Sequence, residues 1–337
     1  MNMKQWVRDQ IATPVKKGVP VLSFPCTQLM GITVKELIES SQLQAKGMKA
    51  VADRTPAAAS VSMMDLSVEA ETFGAEIHVS DDEVPTVVGA ILEDAESVED
   101  IETLKRPKVG DGRTGIYIDA IGEAVKLITD RPVFAGIIGP YSLAGRLMDM
   151  TNIMVNCYEE PEMVHAVLER ATDFLIEYAK GYKSVGAHGI VMAEPAAGLL
   201  SPDLNAEFSV PYVKKLVDAV QDDEFIVIYH NCGPAVDKMI PELLETGAAG
   251  YHFGNAVSMI DILPQMPSDV LVMGNVDPVS QLRNGTVDSV KEDTKRIMTE
   301  CCSYPNFVIS SGCDIPPVTP WENIDAFFDA VNEFYAD

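Results

Sequence analysis

The sequence predicts an α/β protein whose single domain, residues 1–337, is a (β/α)8 TIM barrel with an N-terminal elaboration. Short apolar segments of strand length recur along the chain, and helical stretches with apolar residues at three- and four-residue spacing separate most of them. The length of 337 residues is also ordinary for one barrel domain. A doubly wound open sheet is the alternative, but it would need a glycine-rich phosphate turn after an early strand. The one match to G-x-G-x-x-G, Gly110–Gly115, does not follow a predicted strand.

The predicted strands are short, apolar and bounded by polar or turn-forming residues, as expected for parallel strands that are buried on both faces. They are Val19–Phe24, Ala58–Met63, Val133–Ile138, Gly189–Ala193, Phe225–Tyr229, Gly250–Phe253, Val270–Met273 and Phe307–Ser310.

The predicted helices between them include Val34–Ala52, Pro161–Lys183, Leu204–Val220, Val236–Glu245 and Val287–Cys301. The segment near 76–130 does not follow the simple alternation. It contains an acidic stretch at Leu92–Glu102 and a predicted helix near Ile116–Thr129. We interpret it as an inserted elaboration between barrel strands that forms a lid or a partner surface.

Composition excludes several classes of protein. The net charge of −26 argues against binding to nucleic acid or to an anionic membrane. No apolar run reaches membrane-spanning length, and the first twenty residues lack the apolar middle of a signal peptide. The six cysteines show no paired spacing, which is typical of a reducing compartment. We therefore expect a cytoplasmic protein.

Two predicted strands end beside soft metal ligands. His230 and Cys232 follow the apolar run that begins at Phe225, and Cys313 follows the run that begins at Phe307. The carboxyl ends of barrel strands meet at one face, so these three side chains can converge. One imidazole and two thiolates form a zinc-ligand set that leaves a fourth position for substrate. The sequence therefore predicts His230, Cys232 and Cys313 as metal ligands and as the catalytic centre.

Two other interpretations of these residues remain open. A histidine near a thiol also occurs in ordinary buried cores. A structural zinc is the second alternative, but such sites usually contain close cysteine pairs, and no C-x-x-C occurs here.

Polar side chains at the ends of the other strands are candidates for substrate binding. We predict this role for Asp65, Tyr141, Glu194, His252 and Asn275. Each has a structural alternative. The alternative role of Asp65 is a helix N-cap, and that of Tyr141 is aromatic packing. Glu194 could instead hold a loop, and His252 could point into the barrel. The alternative role of Asn275 is to form a turn.

Four sequence blocks resemble the uroporphyrinogen decarboxylase superfamily, in the family's order and over nearly the whole chain. Gly274–Pro278 is similar to its G-N-[LV]-D-P signature, and Thr319–Ile324 to its terminal T-P-x-E-N-[IV] stretch. Gly139–Gly145 resembles its G-P-[FY]-[ST]-L-A-G loop. Met64–Gly74 resembles its D-[IL]-x-V-E-A-E-x-[FL]-G helix.

The superfamily contains cofactor-free decarboxylases and a corrinoid-dependent methyltransferase branch with zinc in an H-x-C…C pattern. His230, Cys232 and Cys313 match that pattern. The decarboxylases carry an arginine-rich N-terminal block, whereas Arg54 is the one arginine between residues 19 and 60 here. The resemblance thus favours the methyltransferase branch.

That branch implies a zinc-dependent transfer of a methyl group from a methylated corrinoid to an acceptor. The acceptor would be coenzyme M, another thiol or tetrahydrofolate. The cofactor would be zinc, with methylcobalamin or a corrinoid carrier protein as co-substrate and partner, because the chain has no D-x-H-x-x-G carrier motif. The alternatives are a decarboxylase of the uroporphyrinogen type and a non-catalytic subunit that docks a corrinoid protein.

Overall fold

The computed structural model describes residues 1–336, and its main feature is a curved parallel sheet. Seven strands pair in the order β1, β4, β5, β6, β7, β8, β9, with every neighbouring pair parallel. A separate antiparallel hairpin is formed by β2 and β3. The strand bounds are β1 Ser60–Val61, β2 Glu76–His78, β3 Thr86–Val88, β4 Val133–Ile138, β5 Gly189–Ala193, β6 Ile226–Asn231, β7 Gly250–Phe253, β8 Leu271–Val276 and β9 Phe307–Ser311.

Helices follow most of these strands and pack on the outside of the sheet. Their bounds are α1 Met3–Ala12, α2 Cys26–Met30, α3 Val34–Ile38, α4 Ser41–Arg54, α5 Val68–Phe73, α6 Val98–Glu102, α7 Thr114–Leu127, α8 Pro140–Met148, α9 Met150–Glu159, α10 Pro161–Ser184, α11 Pro202–Phe208, α12 Val210–Val220, α13 Ile240–Leu244, α14 Met259–Ile262, α15 Val287–Cys301 and α16 Trp321–Ala336. Three short 3-10 turns, Ala196–Leu199, Val236–Lys238 and Leu263–Gln265, and a π-helical segment, Pro278–Arg283, complete the set.

The predicted first strand, Val19–Phe24, is extended but does not form a regular ladder. It nevertheless lies between β9 and the chain before β1. The Val19 amide donates to the Ile309 carbonyl at 3.0 Å, and the Ala58 amide donates to the Gly18 carbonyl at 3.0 Å. Pro20 has no N–H to donate, which explains why this edge pairs only intermittently. The segment therefore occupies the eighth position and closes the barrel, as the predicted fold class requires.

The barrel interior is an apolar core that α1 covers at the amino-terminal end. Trp6 of α1 reaches this core and packs on Phe134 of β4, with ring centroids 5.7 Å apart. Alternate residues of each strand point inward, as the two-residue period of a strand demands. On β6 the inward residues Ile226 and Ile228 belong to this core, and His230 follows next on the same face.

Three predicted helices are divided in the structure. The stretch Val236–Glu245 forms the 3-10 turn Val236–Lys238 and then α13, which has Pro241 in its first turn. The stretch Val34–Ala52 breaks where Ser40 caps α4 by accepting a hydrogen bond from the Leu43 amide at 3.3 Å. The stretch Leu204–Val220 breaks at Ser209, just before Pro211 in the first turn of α12.

The segment near 76–130 contains the β2–β3 hairpin, α6 and α7. The last of these packs on α4 beside the barrel, as an ordinary barrel helix does. No helix within residues 1–336 has the length and apolar character needed to cross a membrane.

The packing of α1 leads to a stability prediction. Trp6→Ala removes a large side chain from the end of the barrel core, so we expect the free energy of unfolding to fall by about 3–5 kcal/mol. Tyr158→Ala is the matched control, because Tyr158 is 73% exposed and its removal leaves no cavity. Urea denaturation of both variants measures the difference. Equal stability of the two variants would show that α1 does not seal the barrel.

Candidate metal centre

Three soft donor atoms converge at the carboxyl end of the barrel. His230 is the penultimate residue of β6, Cys232 follows this strand, and Cys313 lies two residues after β9. One ligand atom from each lies within 4.8 Å of the others, and the Cys313 Sγ is 3.5 Å from the His230 Nε2. His230 is buried, whereas both cysteines remain partly accessible. The structure thus brings together the three residues that the sequence singled out as metal ligands.

The separation between the His230 and Cys313 donor atoms fits a tetrahedral zinc ion. Zn–S bonds of about 2.3 Å and Zn–N bonds of about 2.0–2.1 Å place a sulfur and a nitrogen ligand about 3.5 Å apart. The observed Cys313–His230 distance of 3.5 Å equals this value. Two sulfurs and one nitrogen leave one position without a protein ligand, which is the arrangement of catalytic rather than structural zinc sites.

A chain of hydrogen bonds lies behind His230 and orients its ring. The His230 Nδ1 is 2.7 Å from the His252 Nδ1, and the His252 Nε2 is 2.7 Å from the Ser310 Oγ. The Ser310 hydroxyl donates to the Val19 carbonyl at 2.7 Å. These contacts follow from the fold, since His230 and His252 are register partners on adjacent strands.

The direction of this chain determines which nitrogen of His230 is free. Because a carbonyl can only accept, the Ser310 hydroxyl gives its proton to Val19 and must accept from the His252 Nε2. The His252 Nδ1 is then an acceptor, and the His230 Nδ1 donates to it. The His230 Nδ1 also lies 3.2 Å from the His252 carbonyl, which requires the same assignment. The Nε2 of His230 therefore carries a lone pair and faces Cys313.

His252 supports the His230 ring through a hydrogen bond. Both of its ring nitrogens have protein partners, and burial together with the adjacent His230 holds the pKa of His252 well below its usual value. A neutral ring is what the hydrogen-bond chain requires. Of the two roles open from the sequence, the structure thus supports the one in which His252 points into the barrel.

The two cysteines are electrostatically different. Their mutual hydrogen bond lowers the pKa of Cys232, while the same contact, together with burial, raises the pKa of Cys313 to about 12. A metal ion binds thiolates and would displace the thiol proton of Cys313, so metal affinity should increase with pH. The loop after β7 reaches Cys232 only because Gly254 has no side chain, since a Cβ there would lie 2.4 Å from the Cys232 Cβ.

Glu194 anchors the start of α8. Its two oxygens accept from the Tyr141 amide at 2.8 Å, the Ser142 amide at 2.9 Å and the Ser142 hydroxyl at 2.7 Å. Burial raises the pKa of Glu194 to about 7, and these hydrogen bonds oppose the rise. Every hydrogen bond of the Glu194 carboxylate is directed at α8, which favours a structural role for this residue.

Tyr141 and Asn275 also contact protein groups. The Tyr141 ring is fully buried, and its hydroxyl lies 3.7 Å from the Cys157 Sγ in α9. The Asn275 side chain donates to the carbonyls of Gly254 and Val257 at 3.0 and 2.8 Å, and so supports the loop after β7. These contacts favour structural roles for both residues.

Asp65 belongs to a buried ion-pair network. Its carboxylate pairs with Arg113 and accepts hydrogen bonds from the Tyr117 hydroxyl at 2.7 Å and the Ser67 hydroxyl at 2.6 Å. Arg113 also contacts Glu71 at 2.7 Å. The charge of Asp65 is thus neutralised by a residue 48 positions later, in the segment interpreted as an insertion. No local pattern near Asp65 indicates that partner.

The site also contains Arg146, which sequence reasoning missed. This residue lies on α8 and lines a cavity of about 340 Å³ together with Cys232. One signal was available, since Arg146 is the single basic residue between positions 133 and 160 and its helix follows a barrel strand. A larger cavity of about 570 Å³ lies elsewhere, between α6 and α10, and none of the three metal-ligand candidates lines it.

Comparison with known proteins gives consistent results. The sequence profile described as Uroporphyrinogen decarboxylase (URO-D) matches residues 15–334. The methylcobamide:CoM methyltransferase MtbA of Methanosarcina acetivorans is 28% identical over 278 residues, which cover 80% of this chain and 78% of that protein. A methylated-thiol–coenzyme M methyltransferase of Methanosarcina mazei is 26% identical over 272 residues, which cover 80% and 71%. A solved methyltransferase from Methanosarcina mazei has a TM-score of 0.85 at 25% identity and covers 99% of this chain and 98% of that chain. The predicted barrel fold is confirmed.

The hydrogen-bond chain predicts that a residue without metal contact controls metal affinity. Ser310→Ala removes the acceptor that holds the His252 Nε2 proton, so His230 loses its fixed tautomer. We expect the zinc dissociation constant to rise roughly ten- to a hundredfold, as for other supporting residues of metal ligands. Competition with a chromophoric chelator measures it.

Ser311→Ala is the matched control for this experiment. The Ser311 hydroxyl accepts from the Val21 amide at 3.0 Å and takes no part in the chain. Equal zinc affinities for the two variants would contradict the assigned tautomer.

Proposed function

Because this chain belongs to the uroporphyrinogen decarboxylase family, we propose that it is an enzyme of the family's methyltransferase kind. It moves a methyl group from a methylated corrinoid to a small thiol. The observation that carries the proposal is the convergence of His230, Cys232 and Cys313 with one position left open. The relatives named above, which are methylcobamide:CoM and methylated-thiol–coenzyme M methyltransferases, support the same reaction class.

His230, Cys232 and Cys313 would hold a zinc ion through one nitrogen and two sulfurs. Zinc, when bound, acts as a Lewis acid that lowers the pKa of a coordinated thiol, so that the nucleophilic thiolate is available at neutral pH. The two cysteine thiolates bring negative charge to the site, which keeps an incoming sulfur electron-rich. His252 and Ser310 keep the His230 ring in the one orientation that directs its Nε2 at the cysteines.

The transfer itself is a nucleophilic displacement. A carbon–sulfur bond forms between the thiolate and the methyl group while the cobalt–carbon bond breaks, and the bonding electron pair stays on cobalt. The corrinoid must approach the carboxyl-end face of the barrel, where the cavity beside Cys232 opens. We propose that it arrives as a co-substrate, free or on a carrier protein, because the chain lacks a carrier motif of its own.

Removal of one sulfur ligand tests this function. We expect Cys232→Ser and Cys313→Ser to lose the stoichiometric zinc that the wild-type protein retains, together with methyl transfer from methylcobalamin to a thiol. Elemental analysis measures the first quantity, and the absorbance change of the corrinoid measures the second. Cys302→Ser is the matched control, because this partly buried thiol contacts Tyr335 at 3.7 Å, away from the site.

Full activity of a metal-free protein would overturn the proposal. Turnover of uroporphyrinogen in the presence of a chelator would instead support the decarboxylase alternative. Tight binding of a corrinoid protein without methyl transfer to any thiol would support the docking-subunit alternative.

A further inference from the structure

The chain forms a tight turn around Cys232 directly after β6. The Asn231 side-chain Oδ1 accepts a hydrogen bond from the Gly233 amide at 2.9 Å, two residues further along the chain. This contact is an Asx turn, in which a side-chain oxygen takes the place of the backbone acceptor of an ordinary turn. Cys232 is the residue that the turn encloses, so the hydrogen bond restricts the backbone dihedral angles of this cysteine.

The two contacts of the Asn231 side-chain amide fix its orientation. A backbone N–H can only donate, so the Oδ1 faces Gly233 and the Nδ2 faces the other partner. That partner is the Tyr229 hydroxyl, which accepts from the Nδ2 at 3.0 Å. Asn231 and Tyr229 are both fully buried, where an unpaired polar group is costly. The reversed amide would leave the Gly233 N–H without an acceptor.

Two adjacent loops enclose this turn. A Cβ at Gly198, in the 3-10 turn after β5, would lie 2.3 Å from the Asn231 Oδ1 and 2.5 Å from the Gly233 Cα. On the other side, the Gly254 amide in the loop after β7 donates to the Asn231 carbonyl at 3.0 Å. The backbones of both loops therefore hold Asn231 in place.

We propose that Asn231 is a positioning residue for the metal centre, because its turn sets the place of the Cys232 Sγ relative to the other two ligands. This inference rests on the proposed function, in which Cys232 would bind zinc. Hydrogen bonds that orient a ligand contribute to metal affinity although their donors and acceptors do not touch the metal. The turn holds the backbone of a cysteine ligand, whereas the chain through His252 and Ser310 orients the ring of His230. The two devices therefore act on different ligands.

A purely structural role is the competing explanation for Asn231. Loss of a buried hydrogen bond destabilises a protein wherever the bond lies. Such a role would lower the free energy of unfolding of the metal-free protein and leave the zinc affinity of the folded protein unchanged. A positioning role changes the zinc affinity itself, so a metal titration separates the two explanations.

The zinc affinity of two Asn231 variants tests the inference without any methyl transfer. Asn231→Ala removes the acceptor of the Gly233 amide, so we expect the zinc dissociation constant to rise roughly ten- to a hundredfold. Asn231→Asp keeps an oxygen for the Gly233 amide, and the Tyr229 hydroxyl can donate to the other oxygen, so we expect most of the affinity to be retained. Competition with a chromophoric chelator measures both constants.

Asn323→Ala is the matched control for these variants. Asn323 is also buried, and it donates to the carbonyls of Leu282 and Gly285, neither of which belongs to the metal centre. We expect this variant to be less stable than the wild type and to bind zinc with the same dissociation constant. An Asn323→Ala protein that loses as much zinc affinity as Asn231→Ala would overturn the inference.

Hydrogen exchange of the wild-type protein gives a test that does not depend on the folding of any variant. Because coupling between two equilibria is reciprocal, a turn that favours zinc binding must itself be stabilised by zinc. We expect zinc to slow the exchange of the Gly233 amide roughly ten- to a hundredfold, as measured by NMR of protein with isotope-labelled glycine. The Gly110 amide is the internal control, because the Thr114 hydroxyl accepts from it at 3.0 Å in the segment before α7. An equal effect of zinc on the two amides would overturn the inference.

These measurements also separate this inference from the proposed function. A wild-type protein that binds no zinc would overturn both together. A wild-type protein that binds zinc with an affinity that Asn231→Ala leaves unchanged would overturn the positioning role alone.

Discussion

The hydrogen-bond chain from His230 through His252 and Ser310 to the Val19 carbonyl is the constraint on which the site depends. Its last member belongs to the extended segment that closes the barrel. The same backbone therefore completes the fold and fixes the proton positions of two histidines. A carbonyl at the end of the chain permits one direction of donation only, and this leaves the His230 Nε2 free to bind a metal. The segment that contains Val19 therefore contributes both to the closure of the barrel and to the orientation of the His230 ring.

Two buried carboxylates at the carboxyl end of the barrel have partners within the protein. Asp65 is neutralised by Arg113, and Glu194 is occupied by the first turn of α8. Among residues 1–336, Arg146 is the single charged residue that lines the cavity beside Cys232.

The sequence predicts the site best where residues of metal-binding type lie at the ends of predicted strands. His230, Cys232 and Cys313 could be predicted to converge because barrel strands end at one face and alternate residues point inward. The roles of Glu194, Tyr141 and Asn275 could not be decided, because their partners lie in α8, in α9 and in the loop after β7, whose positions depend on the whole fold. The end of a strand predicts where a polar side chain lies. It does not predict whether that side chain already has a hydrogen-bond partner in the protein.

Tertiary partners explain most of the remaining differences. The Asp65–Arg113 ion pair joins residues 48 positions apart, and no local spacing predicts it. Arg146 could not be assigned to the site from the sequence, because the cavity that it lines forms only when α8 packs beside the segments that follow β5 and β6. The regular strand predicted at Val19–Phe24 failed because Pro20 interrupts the ladder, although the segment still lies where the barrel fold needs it.

X-ray absorption at the zinc edge of the metal-loaded protein directly measures the number and type of atoms that bind the metal. We expect two sulfur ligands at about 2.3 Å and one imidazole nitrogen at about 2.0–2.1 Å. Addition of 2-mercaptoethanesulfonate should raise the number of sulfur ligands from two to three. A spectrum with no sulfur ligands, or a sulfur number that stays unchanged with the thiol present, would contradict an open centre formed by His230, Cys232 and Cys313.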